Sequence, residues 1–133
     1  MLEDFIQANS LSAKILPYAA KGSLVKCRLF SGNGNFVLAI FLEKDMLSLQ
    51  KLKEAAGLAS LEQAEKAEVE EVTGYRAEFL PPISVYGVKA IVDKKLLEKE
   101  KVKCIVAEER TLEITPKEIL EANEKCIQAD LTL

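Results

Sequence analysis

The tightest constraint on this chain is a pair of apolar segments joined by a loop that suits a hairpin. From Leu24 to Phe30, Val25, Cys27 and Leu29 alternate with Lys26 and Arg28, and Phe36 to Leu42 is a nearly continuous apolar run rich in β-formers. Between them Ser31-Gly32-Asn33-Gly34-Asn35 supplies residues that accept positive φ. Because side chains alternate along a strand, burying Val25, Cys27 and Leu29 turns Lys26 to the opposite, polar face.

Shorter elements flank the hairpin. Leu2 to Ala8 carries Leu2, Phe5 and Ile6 at helical spacing, and Ala13 to Leu16 reads as a short strand stopped by Pro17. Ser48 to Ala56 predicts an amphipathic helix with Ser48 as N-cap and Gly57 as its stop. Glu65 to Val72 predicts a second, acidic on its outer face and closed by Gly74. After Pro81-Pro82 come strands at Val88 to Asp93, Val102 to Val106 and Thr111 to Ile114, with a helical turn over Lys94 to Glu98. Thr115-Pro116-Lys117-Glu118 is a capping box with proline at the first helical position, opening a helix from Pro116 to about Ala122. Ile127, Ala129 and Leu131 alternate in a final strand. Strands outnumber helices and connections are short, which predicts an α+β domain on a mostly antiparallel sheet with helices against it.

Composition removes several functions. The chain has 133 residues, a net charge of −3 and no histidine, which excludes Ser-His-Asp and Cys-His catalysis and any histidine-containing metal site. No low-complexity tract or linker divides it, so residues 1–133 are expected to form one unit. No apolar run approaches a membrane span and the first residues are acidic, so the expected location is the cytoplasm. Cys27, Cys104 and Cys126 are scattered and odd in number, as buried thiols in a reducing compartment would be.

Three groups could carry chemistry. Lys26 reads either as a solvated strand lysine or as a fixed positive charge in a pocket, suited to a carboxylate, phosphate or oxyanion. Thr73-Gly74-Tyr75, followed by Pro81-Pro82-Ile83, reads as a helix cap with a rigid turn or as a binding loop. Lys89, Lys94, Lys95, Lys99, Lys101 and Lys103 outnumber Asp93, Glu98 and Glu100 locally, giving either a solvated face or a surface that steers a polyanion. No carboxylate pair has a spacing that marks acid–base work, and no glycine-rich phosphate loop occurs.

In order, Leu24-Val25-Lys26, Leu49-Gln50-Lys51-Leu52-Lys53 with Gly57, Glu70-Glu71-Val72-Thr73-Gly74-Tyr75, Pro81-Pro82-Ile83, Ile91-Val92-Asp93 and Leu112 to Leu120 form a series that resembles the YbaK and prolyl-tRNA synthetase associated domain family over about residues 22 to 131. The resemblance implies an antiparallel, barrel-like mixed sheet surrounded by helices. It also implies a free-standing hydrolase that deacylates mischarged aminoacyl-tRNA, an error that a synthetase's binding pocket alone does not reject. It implies no metal or organic cofactor, and as partners tRNA and an aminoacyl-tRNA synthetase. Lys26 matches the family's pocket lysine, and Thr73, Gly74, Tyr75 and Pro82 match the loop that shapes its amino-acid pocket. Lys89, Lys95, Lys99 and Lys103 become the candidate tRNA patch.

The chain departs from that pattern at the pocket. Glu78 stands where the family has a glycine four residues before the matching proline, and Val106-Ala107-Glu108-Glu109 replaces a glycine-rich stretch. The helix expected before the lysine strand is reduced to about Tyr18 to Ser23. Two classes therefore stay open: a deacylase with altered substrate choice, or a catalytically degenerate module that binds tRNA or a protein with Glu78, Glu108 and Glu109 filling the pocket. An open cavity beside Lys26 with Glu78 turned away fits the first; a Lys26–Glu78 ion pair fits the second.

Overall fold

Every residue from Val37 to Leu42 is buried, so this strand must be interior and hydrogen-bonded on both edges. The computed structural model describes residues 1–133 and gives it that position. In chain order the elements are α1 (Leu2–Ala8), β1 (Lys14–Leu16), β2 (Val25–Gly32), β3 (Asn35–Leu42), α2 (Leu49–Ala56), β4 (Glu62–Gln63), α3 (Lys66–Thr73), β5 (Lys89–Asp93), β6 (Val102–Ala107), β7 (Arg110–Ile114), α4 (Pro116–Ala122) and β8 (Cys126–Ala129), with 3-10 turns at Ala77–Phe79 and Lys94–Glu98. One sheet has the order β4-β2-β3-β5-β8 and the other β1-β7-β6. No helix is long and apolar enough to cross a membrane.

The expected hairpin forms with β2 and β3 paired from Val25–Leu42 to Gly32–Asn35. Pairings β2–β4, β1–β7 and β6–β7 are also antiparallel, whereas β3–β5 and β5–β8 are parallel. The sheet is thus mixed and mostly antiparallel, as expected. It is not a closed barrel: the strand pairing between the two sheets is a single parallel bridge between Leu24 and Lys103, and outer strands keep free edges. Tyr18 to Ser23 forms no helix and crosses between the sheets as irregular chain.

Period-two alternation on β3 separates two cores. Leu38, Ile40 and Leu42 join Val25, Cys27, Leu29, Cys104 and Leu112 in the larger cluster, while Val37, Ala39 and Phe41 join Leu52, Ile91 and Leu131 in the smaller. Several helix signals act as the sequence suggests. The Ser48 hydroxyl accepts the Lys51 N–H at 3.2 Å, and Gly57 ends α2 with φ +71°. The Thr115 hydroxyl accepts the Glu118 N–H at 3.2 Å. The reciprocal half of that capping box is diverted, because the Glu118 carboxylate instead accepts the Ser12 N–H at 2.7 Å and the Ser12 hydroxyl at 2.9 Å. It thereby ties α4 to the segment between α1 and β1.

Gly32 is required by close approach. A Cβ there would collide with the backbone oxygen of Ser60, where the chain arrives beside β2 before β4. Gly32→Ala is expected to destabilise the protein by about 1–3 kcal/mol, the usual cost of forcing atoms into a packed site. Urea unfolding measures this, and an unchanged midpoint would refute the constraint.

Candidate functional site

The edge of β2 is only partly covered. Its outer neighbour β4 is two residues long and pairs at Phe30–Gln63 and Ser31–Glu62 alone, so Val25 to Leu29 lacks a strand partner on that side. The Glu43 N–H donates to Leu24 O at 2.8 Å and the Ala64 N–H to Leu29 O at 2.9 Å. By antiparallel alternation, the backbone groups of the odd-numbered β2 residues turn toward the uncovered edge, Cys27 among them.

A cavity of about 320 Å³ occupies this gap, lined by Val25, Lys26, Cys27, Arg28, Glu43, Ala77, Glu78, Leu80, Cys104 and Ile105. Both faces of β2 contribute because the cavity lies along an edge. The 3-10 turn Ala77–Phe79 forms the opposite wall, and β6 adds Cys104 and Ile105. A second cavity of about 190 Å³ continues past Arg28 to Gln63, Ala64, Lys66 and Val69. The floor is apolar and the rim carries Lys26, Arg28, Glu43 and Glu78. A charge mixture of this kind suits a ligand with both an anionic and a cationic group.

Lys26 is half-buried and takes part in no ion pair. Glu78 lines the same cavity, but its Oε1 lies 2.7 Å from Nη2 of Arg76. That guanidinium also sits 5.7 Å from the centre of the Phe79 ring, a cation–π contact that holds the pair in place. The Lys26–Glu78 ion pair considered from the sequence is absent, and the cavity is open. Glu108 and Glu109 do not obstruct it. They are exposed at the tip of the β6–β7 hairpin, Glu109 with φ +53°, and a bulge between Ile105 and Ala107 separates them from the residue that lines the cavity.

Thr73, Gly74, Tyr75 and Pro82 lie outside the lining of Lys26's cavity. Gly74 caps α3 at φ +79°. The Thr73 hydroxyl donates to Val69 O at 2.7 Å and accepts the Tyr75 N–H at 3.1 Å. The hydroxyl groups of Tyr75 and Ser84 are 2.9 Å apart, and burial pushes the Tyr75 phenol up. The Pro82 carbonyl accepts from Asn123 Nδ2 at 2.9 Å. What these residues do for the cavity is indirect: they fix both ends of the segment that carries Ala77, Glu78 and Leu80.

The four lysines of the candidate patch do not form one surface. Lys89 opens β5 while Lys95 follows its far end, so the strand, roughly 15 Å long, lies between them. Lys95 reaches toward Leu133 O at 3.4 Å. Lys103 is half-buried on β6, its N–H donating to Ser23 O at 3.0 Å. Sequence reading missed Arg28, Glu43 and the thiols as cavity residues. Arg28 was within reach, because it follows Lys26 by two residues on one strand and so shares its face.

Cys27 and Cys104 are buried side by side on the cavity floor. Burial, and then the neighbouring Cys104, push the Cys27 thiol well above the usual range, and the Cys104 thiol is 3.6 Å from Leu80 O. The Cys27 thiol therefore stays protonated and is a poor nucleophile. No cluster of three or more Cys, Asp or Glu side chains converges as metal ligands would. In the native protein a disulfide reagent is expected to label Cys126, which is only partly buried, well before the other two. Labelling of Cys27 stays slow as pH rises through the ordinary thiol range, because its thiolate forms only above it. Fast labelling of Cys27 at pH 8, followed by peptide mapping, would contradict this.

The aminoacyl-tRNA editing domain model matches residues 10–122 of the chain. Among solved structures, one described as a candidate trans-editing enzyme for prolyl-tRNA synthetase superposes with a TM-score of 0.84 at 25% identity, covering 99% of this chain and 94% of that one. A protein described only as hypothetical superposes with a TM-score of 0.87 at 25% identity over 99% of both chains. A structure described as a candidate signal transduction protein from Marinobacter aquaeolei shares the fold at 20% identity and a TM-score of 0.79, over 99% of this chain and 30% of that one. No curated protein matches the chain.

Proposed function

The chain belongs to the aminoacyl-tRNA editing domain family, and we propose that it is a free-standing deacylase, hydrolysing the ester that joins a wrong amino acid to the 3′ end of a tRNA. The observation that carries this reading is the open cavity beside an unpaired Lys26, with Glu78 engaged by Arg76 instead. A lysine neutralised by a carboxylate would offer nothing to a phosphate or an oxyanion, whereas a free, half-buried one offers a charge where solvent screening is reduced.

In this mechanism Lys26 binds the terminal nucleotide or the ester and stabilises negative charge as it develops on the carbonyl oxygen. The edge-facing N–H of Cys27 is a second donor within the same cavity. A water molecule attacks the carbonyl carbon, the substrate's own ribose hydroxyl helping to position it and to carry its proton. The ester C–O bond breaks, releasing the amino acid and a tRNA with a free 3′ hydroxyl. Cys27 is disfavoured as a nucleophile because burial keeps its thiol protonated, and histidine, the usual base for a cysteine nucleophile, is absent from the sequence. The apolar floor between Val25, Leu80 and Ile105 suits a small side chain such as that of alanine or cysteine. A synthetase partner would add affinity that an acidic protein lacks over most of its surface.

The test is hydrolysis of a panel of mischarged tRNAs, chiefly alanine and cysteine on tRNA for proline. Selective deacylation by the protein is expected, with a fall of about 100-fold or more in kcat for Lys26→Ala, the scale seen when one oxyanion donor is removed. Thermal unfolding should be little changed, since Lys26 has no partner to lose. Equal rates for the two proteins would remove Lys26 from the mechanism, and inactivity on every substrate would shift the function to binding without turnover.

A further inference from the structure

The cavity beside Lys26 adjoins a wider cleft at the start of the same strand edge. This cleft, about 610 Å³, is lined by Gly22, Ser23, Leu24, Glu43, Lys44 and Lys99 among others, and it meets the Lys26 cavity at Glu43. Its wall is fixed by the Glu43 N–H donating to Leu24 O at 2.8 Å and the Lys103 N–H donating to Ser23 O at 3.0 Å. Gly22 and Ser23 both have positive φ, +78° and +51°, so the chain turns sharply as it enters β2. Their N–H groups donate to no protein carbonyl.

Two ammonium groups and two uncommitted backbone donors thus border one cleft. Neither Lys44 nor Lys99 takes part in an ion pair. Backbone N–H groups in a glycine-containing turn, beside lysine, are the donor set that binds phosphate. Lys26 and Arg28 continue the run of unpaired cations into the next cavity, and Lys66 into the one beyond. The Glu43 carboxylate stands at the junction, where it would repel a phosphate but accept a hydrogen bond from a ribose hydroxyl, and Glu78, which also lines the two cavities beyond, is engaged by Arg76. Alternation of this kind matches a sugar-phosphate chain lying along the β2 edge.

We propose that the cleft formed by Gly22, Ser23, Lys44 and Lys99 binds the RNA phosphodiester next to the terminal nucleotide, so that the single strand enters the Lys26 cavity from the start of β2. The assignment of the terminal nucleotide to that cavity rests on the deacylase reading. The anion site itself does not, so it is tested with RNA that carries no amino acid. Of the lysines expected from sequence to form a tRNA patch, this assigns Lys99 to the path and leaves Lys89 and Lys95 off it.

The experiment measures anisotropy of a labelled single-stranded RNA ending in the uncharged CCA of tRNA, over a series of salt concentrations. Lys44→Ala/Lys99→Ala is expected to weaken binding about tenfold and to reduce the slope of log affinity against log salt by about 0.7, the value for one single-strand phosphate. Lys44→Arg/Lys99→Arg should keep both affinity and slope. No binding by the unmodified protein, an unchanged slope in the alanine pair, or an equal loss in Lys89→Ala/Lys95→Ala would overturn the site. Binding that depends on Lys44 and Lys99 in a protein that deacylates no substrate would uphold the site and refute the deacylase reading, so the two fail separately.

Discussion

The burial of β3 on both faces is the constraint from which the architecture follows. A strand with no solvent-exposed face from Val37 onward must satisfy its backbone within the sheet, and it does so antiparallel to β2 and parallel to β5. One set of its side chains fills the larger core and the alternate set the smaller. Placing β3 inside leaves β2 near the margin of the sheet. Because β4 is too short to cover the margin, a strip of strand edge stays open, and the cavities lie along it.

The geometry of the candidate site is therefore a property of an edge rather than of a face. On a sheet face, Lys26 and Cys27 would point to opposite sides and could not share a cavity. At an edge both reach the same space, with the backbone of β2 between them. The 3-10 turn Ala77–Phe79 supplies the facing wall, and the Arg76–Glu78 pair keeps one carboxylate from Lys26. An acidic protein can in this way present a locally cationic groove, since its surplus negative charge is distributed over other surfaces.

The hairpin, the capped helix α2 and the short turn over Lys94 to Glu98 were legible because their signals are local: alternation, a glycine loop, a serine N-cap. Parallel pairing of β5 and β8 was not, because nothing in either segment specifies which distant strand it joins. The diversion of Glu118 to Ser12 was hidden for the same reason, being a contact across 106 positions of sequence. That Lys26 turns away from the core side chains of β2 was legible through alternation, while the cavity it lines depends on residues far away in sequence. Glu108 and Glu109 misled because a bulge moves the hairpin tip away from the cavity, and a bulge leaves little trace in sequence. Thr73 and Tyr75 were singled out as ligand contacts, yet their hydrogen bonds go to Val69 and Ser84.

The segment after β8 carries a consequence for how the molecule is made. Leu131 is fully buried in the smaller core; its N–H is held by the Asp93 carboxylate at 2.8 Å, and its carbonyl accepts the Ser48 N–H at 2.7 Å. Thr132 O accepts from Lys51 at 2.7 Å. The start of α2 and the end of β5 are thus pinned by residues synthesised long after both. During translation the larger core can collect most of its strands as they emerge, while the smaller stays unlatched until Leu131 has left the ribosome. A nascent chain of this protein therefore passes through a stage in which the smaller core still lacks Leu131, the residue that closes it.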